Sequence, residues 1–246
     1  MLRRVCIILS YHHIAEASEC GENMRYYVKP REFERQMEYL HKKGYTVLDI
    51  GELADIIRKK AEIPAGAVVI TFDDAFKSVA AEAEDILALY GFRAAVFVST
   101  GKVGGINDWD TGVRDDIDIL SWEDILGLSS SVFSFHSHGV GHRALTSLED
   151  DAIMDELVRS KEDLASRLGD TRYGFCYPFS DFDEKVRNLA EQAGYDFACT
   201  SRPGINDKGS DIFLLKRVEV TWRDTLNRFI FKVGYNRLFG SSKCRL

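Results

Sequence analysis

Val68-Val69-Ile70-Thr71-Phe72-Asp73-Asp74 is a short β-branched run that ends on two adjacent carboxylates. Comparable runs recur at Val5–Leu9, Ala94–Val98, Val132–Phe135, Gly174–Tyr177, Phe197–Thr200 and Leu214–Val220, separated by helical patterns such as Phe33/Met37/Leu40 and Leu189/Ala193. That alternation is the rhythm of βα units. Three α-to-β corners are punctuated alike: the helices ending near Leu40, Leu87 and Leu189 close on Gly44-Tyr45, Gly91-Phe92 and Gly194-Tyr195. Glycine there takes the left-handed conformation that ends a helix. Ser121-Trp122-Glu123-Asp124 and Ser147-Leu148-Glu149-Asp150 read as capped helix starts, and Pro30 suits a first helical position. No linker divides residues 1–246, so the expectation is one α/β domain of parallel strands, a barrel or a distorted barrel.

Composition fits that reading. The 246 residues are 45% apolar, 29% charged and 11% aromatic with only 4 Pro, which excludes a disordered or low-complexity chain. A chain of this length buries roughly 70–75% of its unfolded surface and holds a sizeable core. The net charge of −7 gives no global basic field, so nucleic acid is not an expected partner. Val5–Leu9 is too short for a signal-peptide core or a membrane span, and Cys6, Cys20, Cys176, Cys199 and Cys244 form no CxxC pair; both point to a cytoplasmic location. Residues 228–246 carry Arg228, Lys232, Arg237, Lys243 and Arg245 without an acidic residue. They read as a last helix with a solvated basic tail, and also offer peripheral contact with an anionic membrane face.

The polar clusters follow strands. Tyr11-His12-His13, Asp73-Asp74, the segment from His136 to His142 and Tyr177-Pro178-Phe179-Ser180 all fall at strand carboxyl ends, the edge where parallel α/β folds build sites. Neighbouring Asp73 and Asp74 point in different directions and can serve different roles, although an Asp at such a junction also caps helices. His138 and His142 can present two imidazoles to one ion, with Asp74 completing a two-His-one-carboxylate set. Gly139 and Gly141 place that pair on a loop or a first turn, admitting close approach of backbone or substrate.

Three segments taken together, from Val68 to Ala75, Ser137 to Leu145 and Phe175 to Glu184, resemble the polysaccharide deacetylase family, the NodB-homology carbohydrate esterases. Leu9-Ser10-Tyr11-His12 and Leu214 to Val220 are similar to its poly-N-acetylglucosamine deacetylase branch. The resemblance implies an irregular (β/α) barrel, and a divalent metal (Zn, or Co, Ni or Mn) on Asp74, His138 and His142. It further implies Asp73 as general base toward water activated by the metal, and an oxyanion held by the metal and a backbone N–H of the Tyr177-Pro178-Phe179 turn. The expected substrate is an N-acetylated sugar in a polysaccharide or glycan precursor. Rival readings are hydrolysis of another amide, such as an N-formyl sugar or small cyclic amide, and a noncatalytic glycan-binding protein.

Two departures stand out. All six histidines precede residue 143, so the family's usual late histidine cannot be the general acid. Because the first and last strands of a barrel are neighbours, His12 is the candidate, with His13 and His136 as alternatives. Cys176 stands where many members carry an arginine that pairs with the base; Arg217 or Arg172 can supply that charge, and Ser180 replaces a common Gly. The connections Ala15–Lys29 and Thr100–Leu120 are expected to shape a substrate groove, the second with Asp108, Trp109, Asp110, Asp115, Asp116 and Asp118, while Trp122 and Trp222 are expected to pack helices.

Overall fold

The structure, a computed structural model, describes residues 4–16, 25–109, 117–129, 131–169 and 172–239. The chain begins with β1 (Cys6–Tyr11), the short β2 (His13–Ile14) and β3 (Tyr27–Val28), α1 (Pro30–Lys42), β4 (Thr46–Val47) and α2 (Ile50–Arg58). It continues through β5 (Ala67–Phe72), α3 (Lys77–Tyr90), β6 (Ala94–Val98), α4 (Trp122–Leu128), β7 (Phe133–Ser137) and α5 (Asp150–Leu168). It ends with β8 (Gly174–Cys176), α6 (Glu184–Gln192), β9 (Phe197–Pro203), β10 (Leu215–Glu219) and α7 (Leu226–Phe239).

The seven runs read from the sequence close a ring. β1, β10, β9, β8, β7, β6 and β5 are parallel neighbours in that order, and β5 returns to β1 with Cys6 opposite Ala67 and Tyr11 opposite Phe72. This is the irregular (β/α) barrel expected. Its irregularity sits at β5, whose second edge is shared: β4 pairs with its start, through Thr46 and Val47, and β6 with its end, through Thr71 and Phe72. A second irregularity is the register shift of β10 against β9, where Leu215 faces Cys199 but Arg217 faces Pro203.

Alternation along each strand sorts the core into two faces. Ile7, Leu9, Val68, Ile70, Val96 and Phe133 turn outward and join Phe33 and Met37 of α1, Val79 of α3 and Phe229 of α7. Cys6, Ile8, Val69, Phe97, Cys176, Phe197, Cys199 and Leu215 turn inward, and Ile50, Leu53 and Ile57 of α2 pack against them to close the amino-terminal mouth. The barrel is therefore filled at one end and open to chemistry only at the other.

The predicted punctuation is present. Gly44, Gly91 and Gly194 have φ of 65, 65 and 77°, Pro30 opens α1, and Ser121 and Asp124 form a reciprocal capping box. The second expected cap fails. Ser147 lies in a 3-10 turn with its hydroxyl donating to the Ala144 carbonyl, and α5 begins only at Asp150, because fully buried Leu145 anchors the turn first. Trp122 is half-buried against the core as expected, but Trp222 is 48% exposed, with Arg223 over its ring. In α7, Phe229 and Val233 are buried, Phe231 and Tyr235 are exposed, and Lys232 pairs with Asp224 at 2.6 Å. Cys20, Lys243, Cys244 and Arg245 lie outside the described residues, and no described helix is long and apolar enough to cross a membrane.

Gly174 is the point where the interior tolerates no side chain. A Cβ there would meet the ring of its register partner Phe197 at 2.0 Å. Gly174→Ala is expected to destabilise the protein by about 1–3 kcal/mol through overpacking, read as a lower urea midpoint at unchanged m-value.

Candidate active site

At the open rim a cavity of about 200 Å³ is lined by His12, Asp73, Asp74, His138, His142, Tyr177 and Phe179, and also by Tyr26, Trp109, Ser201 and Glu219. The predicted residues arrive from β1, β5, β7 and β8 as their strand ends required. The backbone is bent to bring them in: Asp74, Ala75, His142, Phe179 and Ser180 all have φ between 53 and 69°. Non-glycine residues occupy that region only when their surroundings impose it, and such strain concentrates at functional sites.

Arg217 is the centre of the buried polar network. Its guanidinium is 1% exposed and donates from Nη1 and Nη2 to the two Asp73 oxygens, both at 2.7 Å. It also donates to Thr200 O at 2.9 Å, to Thr71 Oγ1 at 3.2 Å and to Cys176 Sγ at 3.1 Å. Burial works to raise the Asp73 carboxyl, but the charge and paired donors of Arg217 outweigh it and hold the group well below the usual carboxylate range. Arg172, the other candidate for this role, pairs with Asp55 and Asp196 at the exposed surface instead. Cys176 fits beside Arg217 as a neutral thiol, its pKa pushed up by burial.

Asp73 and Asp74 diverge as adjacent strand-end residues should. The Asp73 N–H donates to Tyr11 O at 2.9 Å, whereas Asp74 turns left-handed and directs Oδ1 toward His142 Nε2 at 3.2 Å and His138 Nε2 at 3.6 Å. His138 donates from Nδ1 to the Cys176 carbonyl at 2.6 Å, which fixes the tautomer and leaves Nε2 as a lone-pair donor. Burial lowers its pKa to about 4, so the ring is neutral.

The three donors fit a divalent ion. Asp74 Oδ1 is buried without a hydrogen bond, and one ligand atom from each of Asp74, His138 and His142 lies within 4.8 Å of the others. One carboxylate oxygen with two imidazole nitrogens suits Zn, Co, Ni or Mn. Asp73, His138 and Cys176 also cluster, but there each carboxylate oxygen already accepts from Arg217, which also donates to the Cys176 sulfur.

Of the three candidate acids, only His12 reaches the cavity. Its Nε2 lies 3.7 Å from Asp73 Oδ2 and its ring stacks on Tyr26 at 4.8 Å. His13, one residue on, faces the other way, to Ser78 Oγ. His136 is not at the rim: β7 extends through it, and its ring sits inside the barrel between Phe97 and Phe197, accepting the Gly174 N–H. An apolar interior accommodates a neutral imidazole, so the strand did not have to end where the hydrophobic run did.

The turn after β8 narrows the choice of amide. The Tyr177 N–H donates to Cys199 O and proline has no N–H, which leaves the Phe179 amide as the turn's candidate oxyanion donor. Phe179 is 56% exposed and meets the His142 ring edge-to-face, and Trp109 stacks on that ring at 4.3 Å. Of the acidic residues expected in the groove, Asp108 pairs with Lys102 and Asp118 with Lys77, while Asp110, Asp115 and Asp116 lie outside the described residues. The sequence reading missed Tyr26, Ser201 and Glu219. Glu219 was findable, because it shares the inward face of β10 with Arg217, two residues away.

Removing one member of a buried pair leaves the other charged and unpaired. Arg217→Met is expected to cost about 3–5 kcal/mol in urea unfolding, and Arg217→Met with Asp73→Leu should recover more than half of the loss.

Comparison with known proteins agrees with this geometry. The polysaccharide deacetylase family model matches residues 60–198, more than half of the chain. A poly-beta-1,6-N-acetyl-D-glucosamine N-deacetylase of Staphylococcus aureus is 23% identical over 225 residues, covering 82% of this chain and 75% of that protein. The fold is shared with the Streptococcus pyogenes deacetylase PplD solved with acetate (TM-score 0.81, 21% identity, 95% of this chain and 99% of that one). It is shared also with BC0361, a polysaccharide deacetylase from Bacillus cereus (TM-score 0.78, 26% identity, 93% and 69%). The chain belongs to the polysaccharide deacetylase family.

Proposed function

We propose that this protein is a metal-dependent N-deacetylase acting on an N-acetylated sugar in a polysaccharide or glycan precursor. The observation that carries this reading is the convergence of Asp74, His138 and His142 on one point, beside a separate carboxylate, Asp73, that Arg217 keeps charged. A divalent metal held by Asp74, His138 and His142 supplies Lewis acidity, polarising the acyl carbonyl and lowering the pKa of water toward ~7.

The remaining work belongs to the chain. Asp73, fixed by two hydrogen bonds to Arg217, orients the attacking water and takes its proton. His12, with Nε2 3.7 Å from Asp73, protonates the leaving sugar nitrogen. The Phe179 amide steadies the developing oxyanion, a contribution of ~3–4 kcal/mol in comparable sites. Tyr26, stacked on His12, and Trp109, stacked on His142, wall the groove where the sugar lies. Exposed Phe231 and Tyr235 beside Arg228 support peripheral contact of α7 with an anionic membrane face, and the free buried thiols of Cys6, Cys176 and Cys199 fit a reducing, cytoplasmic setting.

Acetate release from N-acetylglucosamine oligomers, screened with nucleotide-linked sugars and N-formyl analogues, tests the substrate class. Activity should vanish with a strong chelator and return on adding the metal. Asp74→Ala and His138→Ala should lose bound metal and activity together; full metal stoichiometry in either would remove it from the ligand set. Asp73→Asn should retain metal and lose ~10²–10⁴-fold in turnover. His12→Ala should also keep metal while turnover falls ~10²-fold, and unchanged turnover would take His12 out of the mechanism.

A further inference from the structure

Glycines at 139 and 141 separate the two histidines of the site, and the reaction itself gives them no task. What they face is Glu156 of α5. A Cβ on Gly139 would stand 3.0 Å from one Glu156 oxygen, and a Cβ on Gly141 would stand 3.1 Å from the other. The bare backbone thus lets a carboxylate lie against the loop. Glu156 Oε2 accepts the Val140 N–H at 2.7 Å and the Gly141 N–H at 2.9 Å.

This arrangement is costly in isolation. Glu156 is 6% exposed and makes no ion pair among the described residues, and two backbone amides donate to its carboxylate. It is also part of a polar stripe on an otherwise apolar helix face. One turn on, Ser160 holds Ser137 Oγ at 2.7 Å, and Ser137 Oγ in turn accepts the Gly139 N–H at 3.1 Å. Further along, Asp163 accepts from Thr100 Oγ1 at 2.8 Å, and the backbone N–H groups of Thr100 and Gly101 donate to the carbonyls of Gly139 and Val140. The loop from His138 to His142 is therefore clamped from α5 on one side and from the end of β6 on the other.

We infer that Glu156 is a positioning residue for metal binding: it fixes the backbone between His138 and His142 and places a buried negative charge behind the ligand loop. The inference rests on the metal-site reading above. A cation bound by one carboxylate and two neutral imidazoles carries a net positive charge, and an anion in a dry environment close behind the ligands offsets it. Groups that orient metal ligands from behind typically account for 10–100-fold in affinity.

The test is metal affinity of the full chain, measured as zinc competition with a chromophoric chelator and as cobalt titration by visible absorption. Apoprotein melting is followed in parallel. Glu156→Gln keeps an acceptor oxygen but no charge and is expected to weaken zinc binding about tenfold, with the cobalt bands unchanged in position because the ligands are unchanged. Glu156→Ala, which frees both amides, should weaken it further, up to about 100-fold. Glu162→Gln, on the same helix outside the clamp, should match the wild type. If both Glu156 variants bind within twofold of the wild type while only their melting temperatures fall, Glu156 is merely structural and the inference is overturned. Failure of the wild type to bind metal would instead overturn the metal site itself, which separates the two outcomes.

Discussion

The buried pair of Arg217 and Asp73 is the constraint around which the open end of the barrel is organised. A guanidinium with 1% exposure survives only if its donors are used, and here they reach β5 through Asp73 and Thr71, β9 through the Thr200 carbonyl and β8 through Cys176. Strands that are not sequence neighbours are thereby tied at one level. The same contacts distinguish the carboxylates: each Asp73 oxygen accepts from the guanidinium, whereas Asp74 Oδ1 is buried without a hydrogen bond beside His138 and His142. One interaction gives the two carboxylates different surroundings, although they are consecutive in the chain.

Above that layer, strain and hydrogen bonding are balanced. Five non-glycine residues around the cavity sit at positive φ, each costing of order 1–3 kcal/mol unless the surroundings over-determine it. The surroundings do so. The loop after β7 is held by amide contacts from the end of β6 and by the carboxylate of Glu156, and the turn after β8 by the Tyr177 N–H to Cys199 and the Tyr177 hydroxyl to Phe213 O. Rigid strands below and hydrogen-bonded loops around the rim let the site occupy conformations that a free loop would leave.

Much of this was legible in the chain. Seven β-branched runs, three glycine-aromatic corners and four polar clusters at strand ends gave the barrel and its working edge, because period, punctuation and strand direction are local properties. The errors were also local in origin. Ser147 has the chemistry of a cap, but Leu145 is buried first. His136 follows an apolar run and so read as a rim residue, yet the barrel interior accepts a neutral imidazole.

The amino-acid sequence by itself determined which residues stand at the strand ends, and that a two-histidine, one-carboxylate set with a second carboxylate was available there. The folded chain shows that Arg217 rather than Arg172 holds Asp73, that His12 rather than His13 or His136 enters the cavity, and that Glu156 lies against the loop between His138 and His142. The reason is the reach of each influence. Alternation along a strand is set by neighbours two residues apart, whereas a buried charge is set by whatever lies within a few ångströms, and here those partners are 144 residues away for Arg217 and Asp73 and 15 or 16 for Glu156 and its amides.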